Sequence, residues 1–290
     1  VLKQRIISAA VLLLLVIAAL FWFSPYAFAL TIALIVVLGV WEWCRFAGLG
    51  HDLWRWLITA LSACFLFVVL FSARDYINAG IVLDSRTSWL LVIALVWWFV
   101  AFLLVSRYPH STRYWQKPAL LQLIFAFCTL IPFMLALLAL RLYHYNQNSH
   151  EGILLLLYVL VLVWSTDSGA YFFGKAVGKH KLAPKVSPGK TWEGVFGGVL
   201  TGLIIGVLFV LLTPTDFILR AVPLPLLLAV SFGTIVVSIL GDLTESMFKR
   251  HVGIKDSSRL IPGHGGVLDR IDSLTAALPF FCAMFYFYLL

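Results

Sequence analysis

The chain has 290 residues, of which 62% are hydrophobic and only 12% charged, with 21 Lys and Arg against 13 Asp and Glu and a net charge of +8. A soluble domain carries about 25% charged residues, so this chain cannot cover a water-facing surface, and its mean hydropathy of +1.00 agrees. Soluble enzymes, disordered proteins and ordinary DNA-binding domains are excluded, which leaves an integral membrane protein with no nucleic-acid partner expected.

A membrane helix needs about 20 mostly apolar residues. Nine stretches approach that length, at 6–23, 26–44, 56–73, 88–106, 119–140, 152–166, 194–212, 223–240 and 273–290. Lys3, Arg5 and the Ala27-Phe28-Ala29 triplet give the start a leader-like look. Its apolar run exceeds the roughly 7–15 residues of a leader, so an uncleaved first span is expected. The sixth stretch is short and is expected to run on through Ser165–Ala170 or to end in a cavity. With nine spans, 17 of the 21 basic residues fall on the N-terminal side, and only Arg74, Arg86, Arg141 and Arg220 on the other. The positive-inside rule then predicts an all-α polytopic protein of about nine transmembrane helices, N-terminus cytoplasmic and C-terminus outside.

Residues 1–150 read as membrane scaffold of about five spans, with Trp41, Trp43, Trp54, Trp56, Tyr108 and Trp115 near span ends as an interfacial belt. Glu42 is the one acid inside a span-like run of that half and is expected to pair with Arg45, three residues on. Cys44, Cys64, Cys128 and Cys282 show neither CxxC nor Cys/His zinc spacing and read as small packing residues.

Residues 151–290 differ, and read as a catalytic half. Segments 167–193 and 242–272 make up 58 of 290 residues but hold 17 of the 34 charged ones, both on the expected cytoplasmic side. In the first, Asp167 opens the cluster, and a turn at Pro188-Gly189 is expected to present Ser187, Lys190 and Thr191 to an anionic group just before a helix begins. Gly189-Lys190-Thr191 is no P-loop, because position 184 is proline where that pattern needs glycine and no strand is expected before it. Gly194, Gly198, Gly202 and Gly206, each four residues apart, form a stripe for close helix packing, within the chain or across a dimer.

The second segment carries the stronger signal. Asp242, Glu245 and Ser246 share one helical face at the end of the eighth span, and Asp269 and Asp272 share another where the ninth begins. Paired carboxylates at neighbouring helix ends suit Mg²⁺, which takes one or two carboxylates and leaves its other positions to water and phosphates. Lys249, Arg250, Lys255, Arg259 and Arg270 supply the charge that phosphates require. Pro262-Gly263-His264-Gly265-Gly266 lacks bulky side chains, so its backbone N–H groups are expected to approach a phosphate.

These residues resemble the signature of the phosphatidate cytidylyltransferases (CDP-diacylglycerol synthases). It stands here as Ser246-Met247-Phe248-Lys249-Arg250, Lys255-Asp256, Pro262-Gly263-His264-Gly265-Gly266 and Asp269-Arg270-Ile271-Asp272. The likeness continues through Asp167-Ser168-Gly169-Ala170 and Ser187-Pro188-Gly189-Lys190-Thr191, and is nearest to the bacterial inner-membrane members. It implies that CTP and phosphatidic acid give CDP-diacylglycerol and pyrophosphate, with Mg²⁺ on Asp242 and Asp269, a second monovalent cation such as K⁺, and a homodimer. Glu245 and Asp272 are further metal candidates. The catalytic candidates are Asp242, Lys249, Arg250, Lys255, Asp256, His264, Asp269, Arg270 and Asp272. The substrate-binding candidates are Asp167, Ser187, Lys190, Thr191, Ser246, Gly265 and Gly266. A CTP-dependent lipid kinase, which would release CDP, and a membrane transporter are the rival readings.

Overall fold

The computed structural model describes residues 2–49, 52–84 and 87–289. Arg86 and the side chains of Lys3 and Arg5, which entered the charge count, lie outside the described part. Among the described residues twelve α-helices run in order: α1 (Leu2–Trp22), α2 (Pro25–Phe46), α3 (Asp52–Ser72), α4 (Arg74–Asn78), α5 (Trp89–Ser106), α6 (Thr112–Trp115), α7 (Ala119–Arg141), α8 (Ser149–Val177), α9 (Trp192–Leu212), α10 (Ile218–Ala221), α11 (Leu224–His251) and α12 (Leu268–Met284). Each of the nine expected spans falls on a long helix. Eight helices among the described residues are long and apolar enough to cross a membrane, and the described apolar part of α1, Ile7–Trp22, is shorter. The chain is an all-α, multi-pass membrane protein.

Helix α7 is the axis of the bundle, with 72% of its apolar window buried, and it packs against α2, α5, α8 and α12. Helix α3, at 17%, turns Leu61, Phe65 and Phe71 outward, as a lipid-facing helix does. Lipid tails are as apolar as leucine, so packing quality rather than water exclusion holds such helices together. The glycine stripe supplies that quality within the chain. A Cβ at Gly198 would lie 2.7 Å from the Thr166 carbonyl oxygen, and one at Gly194 2.9 Å from that of Ala170, both on α8. The stripe is therefore spent on the α8–α9 contact.

Three helices run past their apolar stretches, and together they reshape the charged segments. Helix α8 runs on through Ser165–Ala170, as expected, and continues to Val177, and α11 continues from residue 240 to His251. Helix α12 begins at Leu268, before residue 273. Apolar length alone marks where hydrocarbon ends, whereas a helix continues into charged sequence until a breaker stops it. Gly178 caps α8, and Gly253, with φ of +71°, follows α11. Asp167, Asp242, Glu245, Lys249, Asp269 and Asp272 are thus helical, and the true loops are 178–191 and 252–267.

The first loop is a β-hairpin, which corrects both the turn and the strand expectation. Strand β1 (Lys181–Ala183) pairs antiparallel with β2 (Ser187–Thr191), Lys181 opposite Thr191 and Ala183 opposite Ser187. The turn lies at Pro184–Val186, where Val186 N donates to Ala183 O at 3.1 Å. Pro188 and Gly189 sit on β2, an edge strand that tolerates proline.

Candidate active site

The C-terminal ends of α2, α8 and α11 meet the N-terminal ends of α9 and α12 at one end of the bundle. Lys190 on β2 places its Nζ 2.7 Å from Oδ2 of Asp242 on α11, while Ser246 Oγ donates to Asp242 Oδ1 at 3.2 Å. Asp167 on α8 is the electrostatic neighbour of both Lys190 and Asp242. Gly241 lets α11 approach α12, since a Cβ there would lie 2.5 Å from Asp272 O. Asp272 is an electrostatic neighbour of Asp242 and Glu245.

One helical turn further on, Lys249 Nζ lies 3.0 Å from Glu245 Oε2 and 2.7 Å from Asp269 Oδ1. All three side chains are close to buried, at 12% exposure for Lys249 and 6% for each acid. Buried charges cost several kcal/mol each (about that per ion) unless paired in good geometry, so this triad is held as a unit. Asp269 is also the anchor of the second loop: its Oδ2 accepts from Ser257 N at 2.9 Å, Ser257 Oγ at 2.8 Å and Gly266 N at 2.7 Å.

That loop closes on itself through an Ile261–Gly265 bridge, with Gly263 at φ +76° and Gly265 at φ +84°, the left-handed region that favours glycine. Beside Asp269 it forms an open pocket of about 510 Å³ lined by Lys255, Asp256, Arg259, His264, Gly265 and Arg270 among others. Such a volume lies within the roughly 300–1,000 Å³ range of small-molecule sites. The buried Nδ1 of His264 has no hydrogen-bond partner among the described residues.

Several candidates stand elsewhere than expected. Arg250 does not enter the cavity but donates Nε to Val186 O at 3.2 Å, tying α11 to the hairpin turn. Lys249 is engaged with two acids rather than free for phosphate. Thr191 is the N-cap of α9, its hydroxyl accepting from Gly194 N at 3.2 Å. Ser187 lies on β2, half-buried. The expectation of free amides at Gly263–Gly266 holds less well, since His264 N donates to Ile261 O and Gly266 N to Asp269.

Glu42 does not pair with Arg45 as its spacing predicts. It is fully buried. Arg45 instead donates Nη1 to Ser257 O at 2.6 Å, and Glu42 lies within hydrogen-bond reach of four donors, on Ser258, Val267, Leu268 and Ser257, the Ser257 hydroxyl being shared with Asp269. The signal was present: an acid within an apolar span is costly and usually functional. A sequence neighbour of opposite charge was a sufficient explanation only because the second loop's approach is not visible in one dimension.

A multi-pass membrane protein with carboxylates, lysines and a basic cavity at one bundle end is the class defined by this fold and site. The model of the cytidylyltransferase family matches residues 3–288, and the chain belongs to that family. It is 52% identical to the phosphatidate cytidylyltransferase of Haemophilus influenzae over 289 residues, covering 100% of both chains. It is 45% identical to that of Pseudomonas aeruginosa over 285 residues, covering 98% of this chain and 96% of the relative. The phosphatidate cytidylyltransferase of Staphylococcus haemolyticus is 50% identical over 141 residues, 48% of this chain and 51% of its own length.

Proposed function

We propose that this chain makes CDP-diacylglycerol and pyrophosphate from CTP and phosphatidic acid. A phosphate oxygen of the lipid bonds to the α-phosphorus of CTP as the bond from that phosphorus to the β-bridging oxygen breaks, and the electron pair leaves on pyrophosphate. The nucleophile is already anionic, so the chain needs no general base. Its task is to hold two polyanions together, and electrostatic stabilisation and positioning dominate such reactions. The observation that carries the reading is Asp269, fixed by Lys249 on one oxygen and by loop donors on the other, beside the cavity lined by Lys255, Arg259, His264 and Arg270.

In this reading Lys255, Arg259 and Arg270 compensate phosphate charge, His264 lines the cavity beside them, and Lys190 with Ser187 serves from the hairpin side. Asp256 and Gly265 shape the cavity, while Glu245 and Asp272 hold Lys249 and its neighbours in place. Arg250 and Thr191 act by fixing the hairpin and α9.

The residues fit a Mg²⁺ ion. The donors are all oxygens, five mutually interacting carboxyl groups face two lysines, and Glu245 Oε1 is buried with no hydrogen-bond partner among the described residues. No three His, Cys, Asp or Glu side chains among the described residues converge at ligating distance, and Mg²⁺ completes its shell with water and substrate phosphates. Asp242 and Asp269 would hold it, with Glu245 and Asp272 as further ligands. When bound, Mg²⁺ would neutralise charge on the triphosphate and on the leaving pyrophosphate. The same surplus of negative charge supports a monovalent cation such as K⁺ nearby.

The basic asymmetry of 17 to 4 supports an N-terminus and active site on the cytoplasmic side with the C-terminus outside, and the bacterial relatives support placement in the inner membrane. Phosphatidic acid would then enter from the cytoplasmic leaflet with its tails in lipid. A homodimer belongs to the same proposal, and it would need a face other than the glycine stripe. So does the division at residue 150, although Glu42 and Arg45 of the first half reach the site.

The test is pyrophosphate release by the detergent-purified chain given phosphatidic acid, CTP and Mg²⁺. Release that requires all three is expected. CDP in place of pyrophosphate would make it a lipid kinase, and neither product would reopen the transporter.

A further inference from the structure

We infer that Glu42, far from both charged segments in sequence, is a positioning residue for Asp269: it clamps both arms of the 252–267 loop and caps α12, so that the Asp269 carboxylate keeps one orientation. The inference rests on the proposed role of Asp269 in the reaction and extends it to a residue of α2.

The geometry is specific. Glu42 Oε1 accepts from Ser258 Oγ at 2.5 Å and Val267 N at 2.8 Å, and Oε2 accepts from Ser257 Oγ at 3.0 Å and Leu268 N at 2.7 Å. The incoming arm of the loop is thus held at 257 and 258, and the outgoing arm at 267 and 268. Helix α12 has no side-chain cap of its own at Val267. Its first amides are orphans of the kind that normally find a capping acceptor, and Glu42 provides one from another helix. A carboxylate at a helix N-terminus is also favoured by the helix dipole. Asp269 is the next residue along, so fixing the amides of 267 and 268 fixes the turn from which its side chain projects.

Ser257 links the two acids directly. Its hydroxyl lies 2.8 Å from Asp269 Oδ2 and 3.0 Å from Glu42 Oε2, yet it carries a single proton and can donate to one of them at a time. Glu42 therefore competes for the proton that would otherwise remain on the Asp269 contact. Close packing closes the arrangement: a Cβ on Gly266 would collide with Ser257 Oγ and with the Glu42 carboxylate. Ser8 Oγ, donating to Pro262 O at 2.8 Å, and Arg45, donating to Ser257 O, add further ties from α1 and α2.

Only a carboxylate fits. The amides of Val267 and Leu268 are fixed donors on separate oxygens, so a glutamine would set its own NH₂ against one of them. Partners that orient a ligating or reacting group typically change activity by about 10- to 100-fold when removed, which sets the size expected for Glu42→Gln.

The experiment compares Glu42→Gln, Ser257→Ala, their double variant and Asp269→Asn in detergent with lipid, measuring kcat and the KM for CTP. Amide hydrogen exchange across 255–268 is followed in parallel. The expected result is a kcat lowered about 10- to 100-fold in Glu42→Gln with little change in KM. Faster exchange confined to the 255–268 loop should accompany it, and the double variant should be no slower than Glu42→Gln alone. A wild-type kcat in Glu42→Gln, or single losses that simply multiply in the double variant, would overturn the inference. Should Glu42→Gln not accumulate as folded protein, Glu42→Asp decides, because the shorter carboxylate cannot reach both arms of the loop: a lowered kcat with faster exchange at 255–268 supports the link and a wild-type kcat breaks it. Full activity in Asp269→Asn would sink the role of Asp269 itself, whereas an inactive Asp269→Asn beside a fully active Glu42→Gln sinks the Glu42 link alone.

Discussion

Lys249 and Asp269, 20 residues apart on adjacent helices, meet at 2.7 Å, and Lys249 is held at the same time by Glu245 at 3.0 Å. The pair joins the end of α11 to the start of α12 and sits between the carboxyl array and the basic cavity. Its burial makes the lysine a part of the framework as well as of the charge balance.

Removing one partner of a buried ion pair costs about 3–5 kcal/mol, because the other charge is left unpaired. Lys249→Met is therefore expected to lower the thermal midpoint of the detergent-solubilised protein markedly and to abolish turnover. A midpoint equal to wild type would show that the triad is not held as described.

Arg250 and Arg270 are both basic residues of the same signature, but the structure separates them. Arg270 lines the cavity, and a lost charge-assisted hydrogen bond to phosphate is worth about 1.5–3 kcal/mol, so Arg270→Ala should raise the KM for substrate by roughly 10- to 100-fold. Arg250 is exposed and donates to the Val186 carbonyl, a contact worth about 1 kcal/mol. Arg250→Ala should leave KM within a few-fold of wild type and lower stability slightly. Equal effects of the two substitutions on KM would contradict this division.

Metal removal offers an independent check. Excess EDTA should eliminate pyrophosphate release and added Mg²⁺ should restore it, while the helical circular dichroism signal stays constant because each helix closes its own backbone hydrogen bonds. Undiminished release in EDTA would remove the cation from the mechanism.

The α8–α9 contact tolerates no added bulk. A Cβ at Gly198 would lie 2.7 Å from a backbone carbonyl oxygen, that of Thr166, which cannot swing aside as a side chain could. Overpacking costs about 1–3 kcal/mol, so Gly198→Val should destabilise the bundle, lowering the thermal midpoint, and displace Asp167 from Lys190 with a loss of activity. Retention of both would mean that the helices have room to separate.

The amino-acid sequence alone determined the membrane class, the places of the long helices and the stretches in which the charged residues gather. Those features follow from local quantities: apolar run length, the distribution of Lys and Arg, and i, i+3 and i, i+4 spacing of acids. It also determined most of the candidate residues, because Asp242, Lys249, Asp269 and Arg270 lie in a short and distinctive stretch. Tertiary structure decided what each of them touches. Helix ends ran past the hydrocarbon limits, since hydropathy marks lipid contact while capping residues mark where a helix stops. Lys190 found Asp242, Arg250 turned to the hairpin, and Gly266 spent its amide on Asp269, none of which is encoded in spacing along the chain. Glu42 marks the limit most sharply: its partners lie more than 200 residues away, and only the packing of α2 against α11 and the second loop could show that a buried carboxylate was answering four donors there and not its neighbour Arg45.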